Sequence, residues 1–414
     1  MIVCHIATGG LREGAARGAL WLHQALVSIG EQSILVTNNA DGAGKTPGVV
    51  ETGWRVTRRV RCSAAWRRDQ WPLSQYPRRQ GHLFSVGTSG LSVDQLPCAA
   101  EADLIHLHWI CGGFIDVRSL VRAAKPLVWT LRDLWPVTGG CHHPSVVGCT
   151  RFSGSCGQCP HLGSNVQEDL SAIQHRLKHA NYPSHTCFIA PSRWVAEQAM
   201  ASSLLDGRQL VVIPNCVDTQ TFRPLGRLQA RAQLGLPPDS PIVLTGAGNL
   251  ADPYKGFDLF LQLIQRMPKD IVVATFGRLP PDVTPDPGRT WISFGTIKDG
   301  ERLRAIYSAA NVFVATSRVE TFAKTIAEAQ ACGTPAVAFN HSGPRDIINH
   351  RSDGWLAIPY EVTDLAMGVS WVLDHAEPCD LSAAARLNAE SRFSYAAVAT
   401  QHRSLYSRLC GKPA

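Results

Sequence analysis

The chain has 414 residues, a formal net charge of +7 and an apolar content of 45%. This length exceeds one typical hydrophobic core and predicts two domains of roughly 200 residues each. Since no window approaches the roughly 18–20 uninterrupted apolar residues of a membrane span, the pattern excludes a helical integral membrane protein.

The first half of the chain alternates short apolar runs with helical patterns. "MIVCHIAT" predicts a strand that enters a glycine loop directly, without the basic segment and cleavage site of a signal peptide. A helix over 16–30 and the strand "QSILVT" follow, and later "ADLIHLHWI", "PLVWTL" and "TCFIAPS" predict further strands. This alternation is typical of a parallel α/β sheet.

Segment 54–80 concentrates the positive charge of the chain. It carries eight arginines and one acid, with Trp54, Trp66 and Trp71 among them. A basic stretch with tryptophans fits an anionic membrane surface, and a solvated helix and loop rim is the alternative. Because no recognised nucleic-acid motif accompanies the arginines, we expect no nucleic-acid partner.

A second α/β series is predicted from "LVVIPN" onwards. "PIVLTGAG", "DIVVATFGR", "TWISFGTI", "NVFVATS" and "PAVAF" predict strands, with helical patterns such as "FDLFLQLIQRM" between them. We therefore expect one Rossmann-like domain over 1–207, a second over 208–390, and a C-terminal helix over 391–414. Open sheets of this kind bind ligands at the carboxyl ends of their strands.

Two loops after predicted strands suit an anionic ligand. Gly9 and Gly10 follow the first strand, so their backbone N–H groups could approach a phosphate or sugar, although a simple tight turn is the alternative. The loop lacks the GxGxxG spacing of a dinucleotide site. In the second half, Lys255 follows the strand "PIVLTGAG" and could place a point charge on a phosphate.

The segment "SRVETFAKTIAEAQACG" holds two glutamates eight positions apart, Glu320 and Glu328. Glu320 is predicted in the loop after "NVFVATS", and Glu328 in the helix that starts near Ala323. The first N–H groups of that helix, around Lys324 and Thr325, could hold a diphosphate. The two acids fit this site if one accepts a hydrogen bond from a hydroxyl group of a sugar and the other from a hydroxyl group of a ribose.

These motifs resemble the retaining glycosyltransferases of family 4, which have the GT-B fold. The resemblance rests on the E-x7-E spacing, "EAQACGTPAVAF", "VIPNCVDTQTF" and "YKGFD", and covers nearly the whole chain. "PLVWTLRDLWPVTGGCHHP" and "CGQCPHL" are similar to the bacterial exopolysaccharide branch that includes colanic acid biosynthesis transferases. The resemblance implies two Rossmann-like domains that face each other across a cleft. The domain over 1–207 would lie on the acceptor side, the domain over 208–390 would bind the donor, and the helix over 391–414 would pack on the first domain.

The resemblance implies roles for the donor-side residues. Glu320 would contact the donor sugar near the reacting centre, Glu328 would bind the ribose, and Lys255 would bind the diphosphate. Asn249 stands where the family usually has an arginine, and Arg278 or Lys324 are candidates to replace that arginine. The family also usually has glycine near Ala323 and at the position of Cys216.

The resemblance also implies a histidine near the reacting sugar in the first domain. Arg132 occupies that position in "WTLRD". The helper group is therefore open among Asp133, His142 and His108, and Arg132 itself could hold a phosphate of the acceptor.

The loop 139–162 contains a cysteine cluster with the spacing C-x7-C-x6-C-x2-C, formed by Cys141, Cys149, Cys156 and Cys159. Four thiols in nineteen residues could bind a structural zinc ion, with His142, His143 and His161 as alternative ligands. A disulfide and free thiols are the other interpretations. Most of the thirteen cysteines lie singly in apolar settings, which favours a reducing, cytoplasmic compartment.

The resemblance implies an enzyme that transfers a hexosyl group with retention from a UDP- or GDP-linked sugar to a polyprenyl-linked or oligosaccharide acceptor. No cofactor is expected for the chemistry, and structural zinc is the one metal considered. An anionic membrane surface is the expected further partner. A sugar-nucleotide epimerase or hydrolase of the same fold, and a non-catalytic sugar-nucleotide-binding protein, are the alternatives.

Overall fold

The computed structural model describes residues 1–12, 14–52, 55–283, 286–375 and 380–412. Within these ranges, the side chains of 55–62 and of Pro97 lie outside the description. The chain forms two compact units, one of residues 1–214 with 398–414 and the other of residues 215–397. Each unit is built on a parallel sheet, so the prediction of two Rossmann-like α/β domains is confirmed.

The first unit contains seven strands and the helices that connect them. In chain order they are β1 Ile2–Ala7, α1 Gly14–Ser28, β2 Gln32–Thr37, β3 Val49–Glu51, α2 Arg55–Gln70, α3 Pro97–Glu101, β4 Leu104–Leu107, β5 Leu127–Thr130, α4 Leu170–Asn181, β6 Cys187–Ala190, α5 Arg193–Met200 and β7 Gln209–Val212. The sheet order is β3-β2-β1-β4-β5-β6-β7, and every pairing is parallel. The strand order therefore reverses between β1 and β4, which is where open sheets of this type bind ligands.

Strand β7 corrects the predicted start of the second series. The run "LVVIPN" was expected to begin the second half, but its strand pairs with β6 from Cys187↔Gln209 to Ala190↔Val212. Helix α5 provides the crossover between these two parallel strands, as a parallel connection requires. An apolar run of this length looks the same in either sheet, so the pattern alone could not assign it.

The second unit repeats the same architecture with six strands. Its elements are α6 Arg227–Leu234, β8 Ile242–Asn249, α7 Phe257–Arg266, β9 Val272–Arg278, β10 Trp291–Ser293, α8 Gly300–Ala309, β11 Val312–Ala315, α9 Lys324–Ala331, β12 Ala336–Phe339, α10 Pro344–Ile347, β13 Gly354–Ala357, α11 Val362–His375 and α12 Leu381–Phe393. The order β10-β9-β8-β11-β12-β13 is again all parallel. Here the strand order reverses between β8 and β11.

The core of the second unit explains why α7 forms against this sheet. Its apolar side chains recur at Phe257, Phe260, Leu263 and Ile264, which places them on one face of a helix. These residues are buried with strand residues such as Val243 in one apolar cluster. Burying a side chain of this size stabilises the fold by roughly 1.5–3 kcal/mol.

A last helix, α13 (Tyr395–Leu409), returns to the first unit from Val398 onwards. The hydroxyl of Tyr406 lies 2.6 Å from Nδ1 of His106 on β4, and both side chains are buried. His106 and Tyr406 are therefore buried together in the core of the first unit, although they are 300 positions apart in the sequence.

No helix in the described part of the chain is both long enough and apolar enough to cross a bilayer.

Candidate active site

Lys255 and Glu320 meet where the strand order of the second sheet reverses. Lys255 ends the short 3-10 helix Pro253–Lys255 that follows β8, and Glu320 lies in the loop of residues 317–322, here called the Glu320 loop, that follows β11. Lys255 Nζ donates to Glu320 Oε1 at 2.6 Å. The carboxyl ends of two neighbouring parallel strands thus bring together residues that are 65 positions apart.

The Lys255–Glu320 pair is partly shielded from water, since the two side chains are only 27% and 16% exposed. Burial alone would lower the pKa of Lys255, but the charge of Glu320 and its hydrogen bond together raise that pKa above its ordinary value. Lys255 is therefore a stable cation beside the carboxylate of Glu320. A charge-assisted hydrogen bond of this kind is short and strong, and it holds the two side chains in a defined geometry.

Sequence reasoning missed the serine that shares this carboxylate. Ser317 Oγ donates to Glu320 Oε1 at 2.9 Å, so one oxygen of Glu320 accepts from both a lysine and a hydroxyl. Ser317 ends the run "NVFVATS". Its position at the end of a predicted strand was the signal in the sequence that could have identified it as a site residue.

Helix α9 begins at Lys324, as the sequence predicted. Ala323 caps it in the left-handed region with φ +72, and Lys324 and Thr325 stand in its first turn. Glu328 lies on the same helix and is buried, and Tyr307 OH donates to its Oε2 at 3.0 Å. Glu328 is therefore a buried carboxylate with a polar partner.

Asn249 and Arg278 are directly paired at the ends of β8 and β9. Asn249 Oδ1 accepts the Ala251 N–H at 3.2 Å, so this side chain stabilises the turn after β8. Arg278 is exposed at the end of its strand. The pairing therefore places Arg278 beside Asn249, the position at which the family resemblance led us to expect an arginine.

In the first unit, the glycine loop follows β1 as predicted. The Gly9 N–H donates to Asn38 Oδ1 at 2.8 Å, and the Gly9 carbonyl accepts from Thr37 Oγ1 at 3.2 Å. Gly10 is the next residue of the same turn. The Gly9 N–H thus has its partner in the segment that follows β2.

His108 lies in a buried histidine cluster, defined by His5, His106 and His108. Arg132 Nη2 lies 3.0 Å from His108 Nδ1, which makes that nitrogen the acceptor and places the proton on His108 Nε2. His108 Nε2 in turn lies 3.0 Å from His5 Nδ1. The pKa of His108 is well below its ordinary value because of burial, with the charges of His106 and Arg132 adding to the effect.

Among the described residues, the three members of this histidine cluster also have ligand nitrogens within 4.8 Å of one another. His106 already bonds Tyr406 OH and Thr130 Oγ1 through its two nitrogens. Because Arg132 adds a positive charge and occupies one lone pair of His108, the geometry favours a hydrogen-bonded core over a cation site.

Asp133 and His142 form a second polar network in the first unit. His142 Nδ1 lies 2.7 Å from Asp133 Oδ2, and His142 Nε2 lies 2.9 Å from Ser85 Oγ. Burial alone would raise the pKa of Asp133, but the charge and hydrogen bond of His142 hold it below its ordinary value. The candidates of the first unit therefore separate into two groups, Arg132 with His108 and Asp133 with His142.

The cysteine loop 139–162 shares an apolar core with residues outside it. Cys141 and Cys159 are buried with Leu73, Phe84 and other apolar side chains. Lys178 on α4 is fully buried and donates to the carbonyls of Trp135 and Thr138, just before this loop. Burial lowers the pKa of Lys178 to about 8.

The four thiols of this loop are not gathered as a metal site. Cys141, Cys149, Cys156 and Cys159 are free thiols, and no three of them in the described structure have sulfurs within 4.8 Å of one another. Burial, with the charge of Cys159 in addition, raises the pKa of Cys156 to about 12, although a backbone contact opposes this. The arrangement does not fit a tetrahedral zinc site.

Zinc binding stays a prediction that elemental analysis decides. If the loop rearranges around zinc, purified protein carries about one equivalent, and Cys156→Ser loses the metal and lowers stability. Cys410→Ser is the matched control, because Cys410 lies far from the loop in sequence. Metal-free protein with four titratable thiols in the loop would contradict the prediction.

Two family signatures match the chain. "Glycosyltransferase Family 4" matches residues 12–221, and "Glycosyl transferases group 1" matches residues 291–392. Together they cover His108, Arg132, Asp133 and His142 of the first unit and both glutamates of the second.

Curated relatives agree with these signatures. A D-inositol 3-phosphate glycosyltransferase of Geodermatophilus obscurus is 33% identical over 346 residues, which are 74% of this chain and 71% of the relative. The putative colanic acid biosynthesis glycosyl transferase WcaC of Escherichia coli (strain K12) is 25% identical over 277 residues, 63% of this chain and 65% of the relative.

Solved structures share the fold along the whole chain. Sucrose-phosphate synthase from Thermosynechococcus elongatus has a TM-score of 0.65 at 20% identity and covers 99% of both chains. Anabaena HepE, described in complex with UDP-glucose, has a TM-score of 0.61 at 16% identity and covers 99% of this chain and 100% of its own. These neighbours have the GT-B fold.

Proposed function

Since the chain belongs to Glycosyltransferase Family 4, we propose that it is a retaining hexosyltransferase that uses a nucleotide diphosphate sugar. The observation that carries the proposal is the contact of Lys255 with Glu320 where the strand order reverses in the second sheet. Open sheets bind nucleotides at such points. The complex of HepE with UDP-glucose supports a UDP-linked sugar as the first donor to test.

The proposed chemistry breaks the bond between the anomeric carbon and the diphosphate oxygen. Lys255 and the first N–H groups of α9 stabilise the negative charge that develops on the leaving diphosphate. Glu320 lies beside Lys255 and supports the positive charge that develops at the anomeric carbon. The acceptor oxygen then bonds to the same face of the sugar, and its proton leaves with the diphosphate.

Other residues of the second unit would hold the donor in place. Glu328 is proposed to accept from the ribose hydroxyls, with its carboxylate oriented by Tyr307. Arg278 is proposed to replace the missing arginine, because it is the strand partner of Asn249.

The acceptor is proposed to be lipid-linked or an oligosaccharide of cell-surface glycan synthesis. The relative named for colanic acid biosynthesis supports this acceptor class. Arg132, Asp133 and His108 are the proposed first-unit residues, of which His108 is buried and would act through Arg132.

The test of this function begins with a thermal-shift panel of UDP- and GDP-linked sugars. The stabilising donor is then incubated with polyprenyl diphosphate-linked sugar and free oligosaccharide acceptors, and the products and anomeric configuration are determined by NMR. A glycoside with the configuration of the donor supports the proposal. Epimerised or hydrolysed donor as the sole product, or nucleotide binding without turnover, would instead support one of the two alternatives.

We also propose peripheral binding to anionic membranes through the basic segment 54–80. In its described part, Trp66 and Trp71 are 52% and 74% exposed, and Arg67 and Arg68 beside them are exposed. Tryptophans prefer the interface, and arginines near an anionic surface contribute about 1 kcal/mol each. Trp54 and the side chains of Arg58 and Arg59 lie outside the described residues.

Vesicle sedimentation tests this surface. Binding to anionic vesicles is expected to fall as salt rises, because salt screens the attraction. Changing Arg58, Arg59, Arg67 and Arg68 to Gln should weaken binding at least about ten-fold and leave acceptor-free donor hydrolysis unchanged. Arg266→Gln with Arg302→Gln, on exposed positions of the second unit, is the control, and equal binding to neutral and anionic vesicles would contradict the prediction.

A further inference from the structure

The loop after β12 forms hydrogen bonds with both backbone polar groups of Glu320. Ser342 Oγ accepts the Glu320 N–H at 3.1 Å. The Glu320 carbonyl accepts the Gly343 N–H at 2.9 Å. Both backbone groups of the glutamate are therefore held by two consecutive residues of one neighbouring loop.

Ser342 adopts a conformation that is unfavourable for a residue with a side chain. It is fully buried, and its φ of +52 lies in the left-handed region. This region costs a non-glycine residue roughly 1–2 kcal/mol. Such strain persists only where the surroundings determine the conformation, and it concentrates at functional sites.

The two loops pack so closely at Gly343 that no side chain fits between them. A Cβ on Gly343 would lie 2.6 Å from the backbone of Phe322, so this position requires glycine. Ala323, with φ +72, follows directly at the start of α9. The Glu320 loop is thus held between two positions of strained backbone, Ala323 at its end and Ser342 in the loop on which it packs.

The carboxylate and the backbone of Glu320 are fixed by different groups. Lys255 and Ser317 bond the carboxylate at 2.6 and 2.9 Å. Ser342 and Gly343 contact only the backbone. Because Ser342 is buried, it cannot touch a donor and can act only through Glu320.

We propose that Ser342 is a positioning residue that fixes the backbone of Glu320, so that its carboxylate meets the sugar end of the donor and not its nucleotide end. The inference rests on the proposed transferase function. Misplacing a reacting group by about 1 Å can cost 10²-fold in rate. Loss of the Ser342 hydroxyl is therefore expected to lower turnover more than it weakens donor binding.

The test compares Ser342→Ala, which removes the hydroxyl, with Ser342→Gly, which also relieves the backbone strain. We expect both to lower kcat about ten-fold or more and to leave the KM for donor and the affinity for UDP unchanged, since Lys255 and α9 are untouched. Ser342→Gly guards against misfolding, because glycine accepts φ +52 without strain. Ser352→Ala, at an exposed serine of the same unit, should behave like the wild type.

A double-mutant cycle separates positioning from general stability. In a Glu320→Gln background, Ser342→Ala should lower the residual turnover no further, because the group that it positions has already been removed. An equal fold-loss in both backgrounds would mean a structural role only and would overturn the proposal. Wild-type turnover in both Ser342 variants would overturn it as well.

Hydrogen exchange gives a readout that requires no turnover. The peptide spanning 317–323 should exchange faster in Ser342→Ala and Ser342→Gly than in the wild type, while a peptide of α11 should not change. Unchanged exchange at 317–323 would overturn the proposal. If the wild-type protein transfers no sugar but both Ser342 variants still exchange faster at 317–323, the proposed function is refuted and the contact of Ser342 with Glu320 is supported.

Discussion

Replacing Glu320 by glutamine is expected to lower sugar transfer by at least about 10²-fold, while UDP affinity stays close to that of the wild type. The loss is of the size measured when one group that stabilises a transition state is removed. Glutamine keeps the shape of the side chain and can still contact Ser317, so the fold should survive. Steady-state kinetics with UDP titration by calorimetry measure the two effects separately.

Lys255→Ala should instead weaken both UDP affinity and turnover, because it removes the cation proposed to bind the diphosphate. It also leaves the partly shielded Glu320 carboxylate without its 2.6 Å partner, which adds repulsion toward an anionic ligand. Lys269→Ala is the matched control, since Lys269 is exposed and pairs with Asp286 in the same unit. Near-normal turnover in both Glu320→Gln and Lys255→Ala would end this site assignment.

Gly277→Ala is expected to destabilise the second unit by about 3 kcal/mol or more. Gly277 has φ +96, and a Cβ there would lie 1.6 Å from the Ala247 carbonyl oxygen on β8. The left-handed conformation costs alanine roughly 1–2 kcal/mol, and the backbone shift needed to relieve the overlap costs roughly 1–3 kcal/mol more. Chemical denaturation followed by the fluorescence of Trp291 and Trp355 measures the change.

Gly248→Ala provides the control for Gly277→Ala. It changes glycine to alanine on the neighbouring strand, but a Cβ at Gly248 meets nothing within 4 Å. The control should therefore lie within about 1 kcal/mol of the wild type. Equal stability of the two variants would show that the contact between Gly277 and β8 is not tight.

The sequence predicted the elements that position the site because their patterns are local. The apolar run 311–317 and a helix starting near Ala323 could be read directly, and the positions of Lys255 and Glu320 after two strands of one predicted sheet indicated a shared edge. Their contact depends on β8 and β11 being neighbours, which the structure shows and the sequence analysis did not predict.

The features that sequence reasoning missed depend on contacts between distant segments. Strand β7 joins the first sheet through pairing with β6, and the short strands β3 and β13 have too few residues to show a period. The core of the cysteine loop depends on Phe84, more than fifty residues before it. Ser342 carries no motif, since its role follows from a backbone contact with a residue 22 positions away.

The return of α13 to the first unit has a consequence for synthesis on the ribosome. His106 of β4 receives Tyr406 only after the intervening second unit has been made. At 5–20 residues per second, the roughly 180 residues between Pro214 and Val398 take about 10–40 s. The first unit therefore emerges early but stays incomplete, with a polar pocket at His106 open, while the second unit can finish folding around its own sheet. Nascent chains stalled before residue 398 should accordingly be more sensitive to protease in the first unit than in the second.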